Sequence, residues 1–122
     1  MTALVTNDGV ADLIATWAAS PSRPRYVQMG TGSGATQLSN DLIAPIGSRL
    51  LGATSQETTT ITGDTYRVVA SVGVSAVYSI TEVGVFDAET GGNLLIYGDF
   101  DAIHLAAGDS LVFEIDVIAS AV

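Results

Sequence analysis

The sequence predicts a mainly β fold, an antiparallel β-sandwich or jelly-roll-like barrel with one short N-terminal helix. Three observations carry this. Apolar and polar residues alternate over long stretches: Tyr66, Val68, Ala70, Val72, Val74 and Ala76 interleave with Arg67, Val69, Ser71, Gly73 and Ser75, the period of a strand with one covered face. Leu111, Phe113, Ile115, Val117 and Ala119 form a second such row, with Ser110, Glu114, Asp116 and Ser120 on the other side. Turn-forming residues recur between the apolar runs, at Gly63-Asp64, from Ala88 to Asn93 and from Ala106 to Asp109. Only one segment has helical spacing.

That helix is expected at residues 8–19. Val10, Leu13, Ile14 and Trp17 fall on one helical face, Asn7 or Asp8 serves as its cap, and Pro21 and Pro24 end it. Trp17 is expected to pack against a sheet. Before the helix, residues 1–6 read as an N-terminal arm, with apolar Leu4 and Val5. A short strand at residues 26–29 precedes the glycine-rich Gly30-Thr31-Gly32-Ser33-Gly34. Residues 35–46 read as an irregular crossing with a helical turn near residues 38–43, stopped by Pro45. Strands follow at residues 49–56, 57–62, 66–76, 80–86, 94–100 and 111–119. The β-sandwich then spans residues 26–119 of one domain covering residues 1–122.

Composition narrows the function classes. A domain of 122 residues buries roughly two-thirds of its unfolded surface. The absence of cysteine excludes disulfides and thiolate metal sites. Thirteen acids against four arginines give a net charge of −9, which repels phosphate backbones and argues against nucleic acid as a partner. There is no run of apolar residues long enough for a membrane span, and residues 1–10 contain no basic residue to open a secretory signal. Charged residues are 14% of the chain against a usual ~25%. Such a surface is either partly covered by a neighbour or coated in Ser, Thr and Gly.

The motifs that resemble chemical sites read as structural. His104, the only histidine, lies near Ser110, Asp101 and Asp109 in sequence, but no nucleophile elbow surrounds a serine; it is expected in a solvent-facing loop. Residues 87–93 resemble the start of a calcium loop but carry Gly98 where the closing glutamate belongs, so they read as a hairpin turn. Gly30 to Ala35 matches G-x-G-x-x-A without the long helix and parallel strand that a dinucleotide fold needs. Asp99, Asp101 and Asp109 offer at most a surface cation site. Catalytic, cofactor and metal residues are therefore expected to be none. Glu82 lies in an apolar strand on the face of Gly84 and Phe86, and a carboxylate there needs a partner; Arg49 and Arg67 are the strand-borne candidates for a structural ion pair. Leu4, Val5, Val69, Val112 and Ile118 are expected at subunit contacts, since they lie on the arm or on outward strand faces.

Several segments resemble a family of small tailed-phage virion structural proteins, of the head-decoration (cement) or tail-fibre-like type. Tyr26 to Gly32 is similar to that family's aromatic residue followed by G-T-G. Thr36-Gln37-Leu38 with Arg49 is similar to its leucine-to-arginine stretch. Ile80 to Ala88, with Thr90 to Leu95, is similar to its I-x-E-x-G-L-F-D-A and T-G-G-x-L-L hairpin, and Leu105 with Gly108 to Leu111 to its L-x-x-G-D-x-L closing strand. The likeness runs from about residue 7 to residue 119 and carries no catalytic residue. It implies a virion location and, as partners, the major capsid protein or other virion proteins, in a homo-oligomer. Fibre proteins with such a module usually continue into a shaft, whereas this sequence ends at Val122. The expectation is a capsid decoration protein that stabilises a phage head; the alternatives are a tail component, such as a fibre-base or collar module that docks other tail proteins, and a carbohydrate-binding module.

Overall fold

The computed structural model describes residues 1–120; Ala121 and the chain end at Val122 lie outside the described residues. Helix α1 spans Asn7–Ala19 and is capped by Thr6, whose hydroxyl accepts from the Gly9 amide at 3.2 Å. Thr6 satisfies an orphan amide of the first turn as Asn7 or Asp8 would have done. The buried stripe is narrower than expected: Val10 and Ile14 are buried, Trp17 is half-buried against the Tyr66 ring at 4.8 Å, and Leu13 is 59% exposed.

Seven strands follow: β1 Tyr26–Gly30, β2 Pro45–Leu51, β3 Ala53–Glu57, β4 Thr65–Gly73, β5 Tyr78–Phe86, β6 Leu94–Leu105 and β7 Ser110–Ile118. They form one sheet in the order β2-β1-β5-β6 and a second in the order β3-β4-β7, with every pairing antiparallel. This is the expected β-sandwich. Its core lies between the layers, where Val27, Tyr66, Val68, Ile80 and Val85 are fully buried. The Tyr66 hydroxyl donates to the Pro24 carbonyl and ties β4 to the segment ahead of β1.

Three local expectations change. The strand foreseen at residues 49–56 is two strands, one in each sheet, joined through Gly52 alone. The Gly52 amide donates to the Arg25 carbonyl at 2.6 Å, and a Cβ there would lie 2.8 Å from Val68 Cγ1, so the bend requires glycine. Pro45 opens β2 instead of merely ending the crossing; as first residue of an edge strand it removes no necessary ladder bond. The threonine-rich residues 58–62 are a loop, not a strand. Buried Asp64 gathers the amides of Thr59, Thr60 and Ile61 at 2.8–3.0 Å and the Thr65 hydroxyl at 2.7 Å. The Ile61 amide is the largest single reason that its carboxyl stays far below the ordinary range; burial opposes this, and the Thr59 amide adds to it. A carboxylate thus takes the donors that a neighbouring strand would have used.

Candidate functional site

Gly30, Gly32, Arg49, Glu82 and Asp87 of the phage-like motifs converge on the outer face of the four-stranded sheet and its bordering turn, whereas Leu105 is buried in the core and Leu111 belongs to the other sheet. A register shift between Ile80 and Glu82 turns the strand. Ile80, Val83 and Val85 belong to the core between the layers, while Glu82 packs under the crossing segment of residues 31–44. Its carboxylate is fully buried and accepts from three backbone amides, those of Gly32, Ile43 and Ala44, each at 2.9 Å. Thr81 adds a fourth tie by donating to the Gly32 carbonyl at 2.7 Å. Burial pushes the Glu82 carboxyl up, and the Ala44, Ile43 and Gly32 amides outweigh it and hold the group below its ordinary value. The Tyr97 hydroxyl is buried nearby without a hydrogen bond of sound geometry; burial first, then the Glu82 carboxylate, pushes its pKa up.

The glycines of the motif are explained by this clasp. A Cβ on Gly30 would stand 2.5 Å from Glu82 Oε2 and 2.8 Å from the Ala44 carbonyl, and one on Gly32 would stand 2.7 Å from Ile43. The glycine-rich stretch gives the carboxylate room to approach the backbone; it does not cradle a phosphate.

The expected ion pair of Glu82 with Arg49 or Arg67 is replaced by backbone donors. Arg49 lies with its guanidinium 3.5 Å above the centre of the Phe86 ring and donates to the carbonyls of Ala88 at 2.9 Å and Gly91 at 2.6 Å. It pins β2 to the turn at residues 87–93. Asp87 closes that turn by accepting from the Asn93 amide at 2.7 Å and the Asn93 side chain at 3.2 Å, and these bonds hold its carboxyl below its ordinary value. Arg67 is on the outer face of the other sheet, where it pairs with Glu114 at 2.8 Å and in a two-pronged contact with Asp116 at 2.8 and 3.2 Å. The former calcium-like segment is this turn, with Gly91 and Gly92 at positive φ.

Leu4, Val5, Val69, Val112 and Ile118 are all exposed. Val69 and Val112 are diagonal neighbours on the outer face of β4 and β7, and the Arg67–Asp116 row separates them from Ile118. Leu4 and Val5 belong to the N-terminal arm, which precedes α1 without joining a sheet.

Two features depart from the sequence reading. His104 lies in β6, not in a loop, and its Nδ1 sits 2.7 Å from the Ser79 hydroxyl on the facing strand. Both side chains are exposed, and the pair sits as a cross-strand contact. The second is a groove between the sheets along β6 and β7. It is an open groove of about 410 Å³, lined by Val83, Phe100, Ile103, Leu111, Phe113 and Ile115, with Val112, Glu114 and Asp116 of β7 also on its wall. The Phe100 and Phe113 rings meet across it at 6.1 Å. Its only sequence signal was the aromatic pair itself, since alternation alone does not tell a covered row from a half-covered one.

Among the described residues no group of three or more His, Cys, Asp or Glu side chains is placed to hold a metal ion, and no helix is long and apolar enough to cross a membrane. Neither a curated protein nor a solved structure matches the chain at a significant level. One family model does match, over residues 4–120. Those residues hold the whole sandwich, the Glu82 clasp and the Arg49 turn. The chain therefore belongs to the family of the podophage GP4 fiber I protein gp80, a phage virion structural family.

Proposed function

We propose that the chain is a tail component of a phage particle, a fibre-base or collar module that docks other tail proteins. The observation that carries this is the family match to a fibre protein over residues 4–120. It favours the tail over the head-decoration role expected from the sequence. The structure supports a scaffold of this kind. The outer face of the four-stranded sheet is locked by bonds among its own residues, at Glu82, Arg49 and Asp87. The other sheet and the arm leave apolar side chains in solvent for contact with other virion proteins. The role is structural and needs no reaction chemistry.

Copy number in purified particles tests the reading. Quantitative mass spectrometry against the major capsid protein is expected to give about a dozen copies or fewer, with antibody label at the tail, as the symmetry of a tail assembly requires. Hundreds of copies with label over the head would replace the tail reading by the decoration one.

A further inference from the structure

We infer that the groove between β6 and β7 is a docking slot for residues 1–6 of a second copy of this chain, which adds there as a strand.

The sandwich is closed on one flank and open on the other. At Gly52 the chain passes from β2 into β3, so the layers are joined there. On the opposite flank β6 and β7, joined end to end by the turn at residues 106–109, are both edge strands with no ladder between them. β7 is nine residues long and pairs only with β4, so its other edge presents unpaired backbone donors and acceptors. The burial of the two rows facing the core differs accordingly. On β4, Tyr66, Val68, Ala70 and Val72 are buried, at 6% exposure or less. On β7, Leu111, Phe113, Ile115 and Val117 are all only half-buried. A row of large apolar side chains left half-covered beside an open ladder edge fits an added strand.

Residues 1–6 have the properties of that strand. They have no sheet partner, and Leu4 is 68% exposed. Fully extended, six residues span about 20 Å, within the roughly 30 Å of β7. Alternation puts Leu4 on one side and Val5 on the other. With Leu4 in the groove over Phe113, Val5 lies on the outer face beside Val112, which is 71% exposed. Charge selects the same occupant. The wall of the slot carries Glu114 and Asp116 from β7, both exposed and both paired with Arg67 of the same copy. An edge-to-edge pairing of two β7 strands would set acids of one copy against acids of the other, and each copy carries −9. Residues 1–6 contain no acid. The chain's own slot leaves the arm in solvent: α1 packs on β3 and β4, and Asn7 sits beside Thr60, Ile61 and Thr62. A second copy supplies the strand instead.

The test uses the purified full chain and holds for either position in a particle. Sedimentation equilibrium is expected to show concentration-dependent self-association, weakened about tenfold or more by Leu4→Asp, with circular dichroism and thermal midpoint unchanged because Leu4 stands in solvent. The chain has no cysteine, so Val5→Cys in one tagged copy and Val112→Cys in another form a defined thiol pair. A short thiol cross-linker is expected to join the two copies. A chain that stays monomeric up to roughly 1 mM would overturn the inference, as would self-association indifferent to Leu4→Asp. So would a Val5→Cys/Val112→Cys double variant that closes within one chain at high dilution, since the occupant would then be the chain's own arm.

Discussion

Strand β5 borders two regions that follow opposite rules. On its outer side, Glu82 is fully buried under residues 31–44 and meets three amides at 2.9 Å. On its inner side, Val83 looks toward the groove where β7 leaves its apolar row half-covered. In the first region a buried charge is tolerable because three backbone amides donate to it. The second leaves apolar surface and the unpaired backbone edge of β7 available for association. The difference teaches that the polar and glycine members of the motifs lie apart from the interaction surface: Glu82, Gly30 and Gly32 build the rigid side, while Val83 and Leu111 of the same motifs line the groove on the other.

The comparison breaks most sharply at Glu82. Glu82→Ala strands three amides in a dry site and is expected to cost about 4 kcal/mol, at ~1–3 kcal/mol for each unsatisfied group less what relaxation recovers. Urea denaturation measures it, and a loss below that of a core truncation would mean that water replaces the carboxylate. Next in size is a matched pair. Ile80→Ala empties a fully buried position and is expected to cost about 3 kcal/mol. Ile115→Ala, on the half-covered row, is expected to cost about 1 kcal/mol. Equal losses would show that the slot is already filled in solution.

The pH dependence sharpens the same contrast. Glu82 is held below its ordinary value of 4.5 in the folded state. Its contribution is therefore fully present above that value and is lost as pH falls through the lowered folded value. The urea midpoint of the wild type should drop on acidification below about pH 4.5, and Glu82→Gln should flatten that slope. An unchanged slope would assign the acid sensitivity to Asp64 and Asp87. The smallest effect is expected for Arg67→Ala on the exposed sheet face, a shift in thermal midpoint at the edge of detection, because solvent screens its pairs with Glu114 and Asp116. A large drop there would mark the outer face as a structural element.

Much of the fold was legible because a half-buried sheet writes its period into the sequence, as in Tyr66 to Val72 and Leu111 to Val117. Where side chains hydrogen-bond the backbone locally, the period misleads. The threonines of residues 58–62 look like a strand, yet their amides turn inward to Asp64. Glu82 stands out as an acid among apolar neighbours, but sequence advertises charged side chains such as Arg49 and Arg67 and hides the backbone amides that are its partners. The usable sign was Gly30 and Gly32, which mark a place where something approaches the main chain closely. The open flank was illegible because whether the row on β7 is covered depends on how far β6 follows it, a long-range matter that the spacing of Phe113 and Ile115 does not encode.

The single-residue corner at Gly52 fixes one margin of the sandwich. The layers share a spine of covalent chain on that flank, and a side chain at the bend would strike Val68. The chain crosses between the layers again at residues 74–77 and at residues 106–109, and those two crossings are bonded to each other through Val74, Gly108 and Asp109. The spacing of the layers is thus pinned at both margins, and a strand arriving at the edge of β7 meets a gap whose width the fold has already set.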